Sequence, residues 1–161
     1  MHAVVTPSVT VSIVRVLVAF VLGGWIGWER EHHVHTAAGI RTYSLLCIGS
    51  CIFGLMSIQM AQNDPSRIAA QVVSGIGFLG AGVIFRQGSS VAGLTSAATI
   101  WSTAAIGLSI AFGNYTIAVL GTLITFFLLF LPRLDWWKNL TRKKIDIKHK
   151  DHGNDHSDSN G

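Results

Sequence analysis

The charged residues that could take part in chemistry lie beside long apolar runs. Glu29, Arg30 and Glu31 follow the first run, Arg41 precedes the second and Arg86 lies at the end of the third. Two arginines can hold one carboxylate through parallel hydrogen bonds, and Glu29 is the natural candidate for that carboxylate. No serine–histidine–acid set and no cysteine–histidine set lies at a matching depth in the runs. The sequence therefore predicts a protein that is not an enzyme.

Two further patterns resemble ligand sites but lack the surroundings that such sites need. Gly75, Gly77 and Gly80 match GxGxxG, yet a dinucleotide site needs a preceding strand and an acidic residue ~20 positions later, and the sequence provides neither. Close helix packing or a locally unwound backbone explains these glycines better. Histidines that could bind zinc or another transition metal are better interpreted as parts of solvated segments: His32, His33 and His35, and His149, His152 and His156. We therefore predict no metal and no cofactor.

The composition excludes a soluble domain. Half of the 161 residues (50%) are hydrophobic and 12% are charged. Residues 1–131 contain five arginines, no lysine and three acidic residues. So few charges cannot cover the surface of a water-soluble domain. The same distribution argues against a nucleic-acid-binding protein, because the basic excess lies in the tail.

The apolar runs are long enough to cross a bilayer. A helix that rises about 1.5 Å per residue crosses ~30 Å of hydrocarbon with ~20 residues. We predict an all-α polytopic membrane protein with about five transmembrane helices, of which the third or fourth could instead be re-entrant or broken. The predicted spans are Val9–Trp28, Tyr43–Met60, Ile68–Phe85, Leu94–Phe112 and Tyr115–Leu131.

The distribution of basic residues predicts the orientation. Seven of the twelve lysines and arginines follow Pro132, and basic residues favour the cytoplasmic side. Five spans then place the N-terminus outside and the C-terminus in the cytoplasm. The first span lacks the basic flank and cleavage site of a signal peptide, so we expect it to stay uncleaved. We expect a transmembrane domain over residues 1–134 and a basic, His/Asp-rich, disordered tail over residues 135–161.

Several side chains leave two interpretations open. Arg15, inside the first span, is expected to extend toward the outer face, and Asp64 to cap the third helix ahead of Pro65. Hydroxyls of the fourth helix bond their own carbonyls or line a polar seam. Small residues four apart, such as Gly23 with Gly27 and Gly77 with Ala81, pack helices within the chain or between copies in a homo-oligomer.

Three segments resemble the membrane domain of the MgtC/SapB family. They read GWIGWERE, AAGIRTYSLLCIGS and DPSRIAAQVVSGIGFLGAGVIF, and the resemblance extends over about residues 23–108. It assigns no catalytic role to any residue. The residues that match the family's motifs are Gly27, Glu29, Arg30, Gly39, Arg41, Thr42, Asp64, Arg67, Gln71, Gly75, Gly77, Gly80, Gly82, Arg86 and Thr95.

The resemblance implies a multi-pass protein of the bacterial inner membrane that is linked to growth at low magnesium and to virulence. It implies a regulator that binds other integral membrane proteins, with the proton-translocating ATP synthase as a candidate partner. The alternative is an oligomeric ion transporter or channel for Mg²⁺. Many relatives continue into a soluble C-terminal domain, which this sequence is expected to lack.

Overall fold

The computed structural model describes residues 7–33, 38–60, 66–87 and 90–133. These residues form five α-helices, a two-stranded antiparallel hairpin between the third and fourth helices, and a final 3-10 turn at Leu131–Arg133. The all-α class is thereby confirmed. Asp64 and the tail predicted from residue 135 lie outside the described residues. The elements are α1 (Val9–His33), α2 (Ile40–Met60), α3 (Ser66–Gly82), β1 (Phe85–Gln87), β2 (Ser90–Ala92), α4 (Leu94–Ala111) and α5 (Tyr115–Phe130).

Three of the described helices are long and apolar enough to cross a membrane. They are α1, α2 and α4, and α5 is a shorter apolar helix. With 17 residues, α3 is about 26 Å long. Both α3 and α4 are continuous, so the alternative of a broken or unwound helix does not apply to either. The chain is a membrane protein built from helices.

Several helix boundaries differ from the prediction, and two of the differences have identifiable reasons. Helix α1 continues five residues past Trp28, to His33, because Glu29 and Arg30 are buried and prolong the helix although their charge ends the apolar run. Helix α3 ends at Gly82 instead of Phe85, because Phe85 starts the hairpin by pairing with Ala92. Charge and hydropathy locate the edges of apolar runs, whereas backbone hydrogen bonds decide where the helices end.

Glycines bring α1 and α2 into close contact. A Cβ atom added at Gly23 would lie 2.6 Å from Cβ of Cys47, and one added at Gly27 would lie 2.5 Å from Cα of Ile40. Neither contact leaves room for a side chain. The predicted packing role of this glycine pair is therefore confirmed within the chain.

The contact between α2 and α4 also depends on glycines. A Cβ atom at Gly54 would lie 2.5 Å from Cβ of Ala111, and one at Gly107 would collide with the carbonyl oxygen of Cys47. Apart from Tyr43, the buried apolar side chains between these two helices and α1 are small or medium-sized, and both cysteines among them are free. The backbones approach closely because the side chains between them are small.

Gly93 forms the entry to α4. It has a φ of 89° in the left-handed region, which glycine adopts without a steric cost. A Cβ atom at this position would also collide with the carbonyl oxygen of Val83. Glycine is required here to turn the chain from β2 into α4.

The chain divides into two units, residues 1–126 and residues 127–161. In the first unit, α5 contacts α4 through a 3.1 Å hydrogen bond between the hydroxyls of Ser102 and Thr125. The ring centroids of Trp25 and Phe126 lie 5.6 Å apart. Of the second unit, the structure describes residues 127–133, which form the end of α5 and the 3-10 turn.

Candidate functional site

A buried polar cluster lies where the end of α1 meets the beginnings of α2 and α4. We define the polar cluster as Glu29, Arg30, Tyr43, Ser96 and Thr99, whose exposed fractions range from 0% to 8%. Nη2 of Arg30 donates a 2.6 Å hydrogen bond to Oγ of Ser96, and the Tyr43 hydroxyl lies beside Arg30 and Thr99. One side chain from α1 thereby connects to both other helices.

Burial makes the charges of the polar cluster costly to leave unpaired. A guanidinium and a carboxylate are both buried here, with Arg30 5% and Glu29 3% exposed. The Nε atom of Arg30 and the hydroxyl of Tyr43 have no hydrogen-bond partner among the described residues. The Nε–H group of Arg30 and the hydroxyl of Tyr43 can therefore each form a further hydrogen bond inside the polar cluster.

Glu31 holds the beginning of α2. Its Oε2 atom accepts a 2.9 Å hydrogen bond from the backbone N–H of Ile40. A carboxylate at this place also stabilises the positive end of the helix dipole. A Cβ atom at Gly39 would lie 2.6 Å from the same Oε2. Gly39, one of the residues that match the family's motifs, therefore leaves space for the carboxylate of Glu31. Glu31 itself is not among those residues.

Four motif residues near the polar cluster lie outside it. Arg41, Arg86 and Thr95 are exposed, and Thr42 is half-buried. The sequence predicts that two arginines hold Glu29; of the candidates, Arg30 is buried with it, whereas Arg41 and Arg86 are exposed. Tyr43, Ser96 and Thr99 are the members of the polar cluster that the motifs missed. The hydroxyl-rich pattern of the fourth helix indicated Ser96 and Thr99, whereas no sequence signal indicated Tyr43.

Arg15 anchors the opposite end of α4. Its Nη1 donates a 2.7 Å hydrogen bond to the carbonyl oxygen of Ala111, and its Nε donates a 3.2 Å hydrogen bond to the hydroxyl of Tyr115. A cation at the carbonyl end of a helix also favours the helix dipole. The acceptors for Arg15 lie at the end of α4 that the predicted orientation places outside, so these contacts agree with the expectation that Arg15 extends toward the outer face.

The hydroxyls of the fourth helix divide between the two interpretations. Thr99 and Thr103 donate to carbonyl oxygens four residues earlier, at 2.7 Å and 2.8 Å. Ser96 and Ser102 instead bond to side chains of other helices. Thr99 and Thr103 therefore satisfy their own helix, whereas Ser96 and Ser102 form the polar seam.

Helix α3 is the least buried helix of the first unit, and three of its four motif glycines have no close neighbour. Only Ile76 and Gly80 are buried on it. Cβ atoms added at Gly75, Gly77 and Gly82 would meet nothing within 4 Å. Close packing within the chain is therefore the wrong explanation for these three glycines. It fits only Gly80, where a Cβ atom would lie 3.7 Å from Cβ of Ala97.

One exposed face of α3 carries a line of small residues. We define the small-residue stripe as Ala70, Ser74, Gly77 and Ala81, all exposed. Their alternating spacing of four and three residues keeps them on one side of a helix. This spacing is typical of a helix that packs closely against another helix.

The second exposed face of α3 borders a groove toward α2. The groove has a volume of about 450 Å³. Both Gly49 and Gly75 lie on it, and a Cβ atom at either would meet nothing within 4 Å. The glycines therefore deepen the groove instead of closing a helix contact. The residues used below to describe the groove are Leu45, Gly49, Ser50 and Phe53 from α2, and Gln71 and Gly75 from α3.

The described residues contain no group of three or more His, Cys, Asp or Glu that could hold a metal ion. The histidines at positions 35, 149, 152 and 156 lie outside the described part of the chain. Arg67, at the first turn of α3, is exposed. The prominent surface features of α3 are thus its two uncovered faces.

Comparison with known proteins gives one family. A family model described as the MgtC family matches residues 16–135. Protein MgtC of Salmonella typhimurium is 46% identical over 112 residues, which cover 70% of this chain and 48% of that protein. Protein MgtC of Brucella abortus is 47% identical over 105 residues, which cover 65% of this chain and 44% of that protein.

The chain spans about half the length of the curated relatives that it matches. No solved structure matches it. The matched region includes the polar cluster, the small-residue stripe and the groove.

Proposed function

The chain belongs to the MgtC family, and from this premise we propose that it is a non-enzymatic, multi-pass protein of the bacterial inner membrane that regulates other membrane proteins through helix–helix contacts. The resemblance to the family implies that this regulator is linked to growth at low magnesium and to virulence. The proton-translocating ATP synthase is the candidate partner.

The observation that carries this proposal is the exposed small-residue stripe. The space beside Gly77 is open. The corresponding space is filled by a neighbouring helix at glycines of α1, α2 and α4, namely Gly23, Gly27, Gly54 and Gly107. In a bilayer, small residues let two helix backbones approach, and packing then stabilises the pair. An open stripe on α3 therefore supports the binding of a helix from another membrane protein.

The test is purification of the tagged protein from its native membranes in mild detergent, followed by mass spectrometry. A membrane protein should be recovered in stoichiometric amount. Gly77→Leu should reduce its recovery about 5-fold or more, since overpacking a helix contact costs at least ~1 kcal/mol. The matched control is Gly75→Leu, which adds the same side chain to the same helix on its other exposed face and should leave recovery unchanged.

Two outcomes would contradict the proposal. One is the recovery of no membrane partner, and the other is equal recovery from the parent chain and from Gly77→Leu. If only copies of this chain were recovered, the oligomeric Mg²⁺ transporter or channel would become the leading hypothesis. Mg²⁺ flux into proteoliposomes, measured for the parent chain and for Glu29→Ala, would then decide whether an ion is carried.

A further inference from the structure

The third apolar run of the sequence is longer than the helix that it forms. Helix α3 ends at Gly82, and Val83, Ile84 and Phe85 continue the run into the hairpin. With 17 residues, α3 is about 26 Å long, about 4 Å less than the ~30 Å hydrocarbon core of a bilayer. The other end of α3 begins with a polar turn that contains Arg67. The additional apolar length is therefore on the hairpin side of α3.

The hairpin lies at the end of the bundle where α4 begins. A Cβ atom added at Gly80, in the last turn of α3, would lie 3.7 Å from Cβ of Ala97, in the first turn of α4. The hairpin connects these two helix ends, and α4 is long and apolar enough to cross a membrane. The register pairs Phe85 with Ala92 beside the helices and leaves Ser90 next to the turn. The base of the hairpin, defined as residues 83–86 and 91–92, is therefore the part closest to the membrane-spanning helices.

The base of the hairpin exposes large apolar side chains next to an arginine. The exposed fractions are 38% for Ile84 and 53% for both Phe85 and Val91, and Leu94 at the start of α4 is 58% exposed. Apolar surface of this kind is unfavourable in water. Arg86 is also exposed, and its partner in the register is Val91. An arginine beside apolar side chains is typical of a membrane interface, where the stem lies along apolar surface and the guanidinium reaches lipid phosphates.

The backbone that leads into the hairpin is hydrogen-bonded within the chain. The N–H of Val83 donates to the carbonyl oxygen of Gly80 at 3.3 Å, and the N–H of Ile84 donates to that of Ala81 at 3.1 Å. The two strands then pair with each other. An irregular loop is excluded from lipid because its backbone groups would lose their hydrogen bonds with water. This connection keeps its hydrogen bonds and can enter the edge of the bilayer.

We propose that the base of the hairpin is embedded in the lipid headgroup region. Phe85 and Val91 contact the ends of the acyl chains nearest the headgroups, Arg86 lies at the lipid phosphates, and Ser90 lies in water. The bilayer is the occupant of the exposed apolar surface because this surface continues from the membrane-spanning α4 and its charge complements that of a phosphate. The predicted orientation adds anionic lipids of the cytoplasmic leaflet, which attract arginine.

Spin labels on full-length chains in liposomes measure the depth of single side chains. Oxygen concentrates in hydrocarbon and a nickel chelate stays in water, so the ratio of the two accessibilities reports depth. Labels at Phe85→Cys and Val91→Cys should have a higher oxygen-to-nickel ratio than the matched control Ser90→Cys on the same hairpin. The label at position 85 should lie up to about 7 Å deeper than that at position 90, the length of two residues along a strand. Trp101→Cys, at an exposed position in the middle of α4, provides the deep reference.

A charge placed on the base of the hairpin tests the contact with lipid. Phe85→Asp puts a carboxylate where acyl chains are proposed to lie, which is unfavourable. In this background the label at Val91→Cys should move toward water, with a lower oxygen-to-nickel ratio. Ser90→Asp is the matched control, because it adds the same charge next to the turn, and it should leave the ratio unchanged. The parent chain, whose Cys47 and Cys51 are buried, should take up no label.

Three results would overturn this placement. Equal ratios at positions 85, 90 and 91 would put the whole hairpin in water. Low accessibility to both oxygen and nickel at positions 85 and 91 would show that protein, and not lipid, covers the base of the hairpin. An unchanged ratio in Phe85→Asp would show that the apolar side chain does not hold the hairpin in lipid. None of these measurements involves a partner protein, so this inference and the proposed function can fail separately.

Discussion

At the scale of single residues, Arg30 shows how one buried charge connects helices that are distant in sequence. Its guanidinium lies between α1 and α4 and bonds to Ser96, 66 residues further along the chain. A hydrogen bond to a charged group contributes more than a neutral one, and removing one partner leaves the other buried and unsatisfied. The Ser96 hydroxyl is therefore expected to stabilise the fold.

Ser96→Ala should lower the free energy of unfolding by about 1–3 kcal/mol, because Nη2 of Arg30 then lacks its acceptor. The measurement is denaturation of the purified protein in detergent micelles. Thr95→Ala is the control: Thr95 is exposed, and its carbonyl oxygen accepts the bond from Thr99, so this substitution should change the stability little. Equal stability of Ser96→Ala and the parent chain would contradict the importance of this bond.

The charged members of the polar cluster can be predicted from sequence, but its neutral members cannot. Glu29 and Arg30 are conspicuous because charges are rare in the apolar part of the chain. Tyr43 and Ser96 are ordinary residues of apolar or hydroxyl-rich segments, and only the packing of α2 and α4 against α1 brings them to the charges. Charge is a property of one residue, whereas this site depends on the positions of three helices.

At the scale of elements, glycines that lie in contacts between helices of the chain differ from glycines that face open space. The first kind holds the fold together, and the second kind leaves a surface that can bind a partner. Gly107 faces the backbone of α2, whereas Gly49 faces open space. The same residue type therefore closes a helix contact in one place and leaves a surface open in another. The four-residue spacing in the sequence predicts a small-residue face in both cases but does not say what that face meets.

Gly107→Ala should destabilise the protein by about 1–3 kcal/mol, because the added methyl group collides with the carbonyl oxygen of Cys47. Gly49→Ala, on the facing helix, should leave the stability unchanged or raise it by up to about 1 kcal/mol, because alanine favours a helix over glycine. Both are measured by denaturation in micelles. A loss of stability in Gly49→Ala as large as in Gly107→Ala would show that the groove is filled within one chain.

At the scale of the whole molecule, the distribution of basic residues predicts the orientation in the membrane. Arg86 and Asn114 are exposed and lie beyond opposite ends of α4. The positive-inside rule places Arg86 in the cytoplasm and Asn114 outside.

Asn114→Cys should react with a membrane-impermeant maleimide in intact cells, and Arg86→Cys should react only after the membrane is opened. The parent chain controls for Cys47 and Cys51, which are buried. Labelling of Arg86→Cys but not Asn114→Cys in intact cells would reverse the orientation. Labelling of both would show that α4 does not span the membrane.

The sequence by itself determined that this is a helical membrane protein, because the length of an apolar run and the number of charges in it can be read from that segment alone. It predicted the five helices, the family and the unusual charges near Glu29. Only the tertiary structure decided that Arg15 caps α4, that Arg30 is buried against Ser96, and that α3 leaves two faces open. Those outcomes depend on which helices lie side by side. The physical reason is that the bilayer stabilises each apolar helix independently of the others. Close packing and hydrogen bonds between helices then determine which helices lie next to each other.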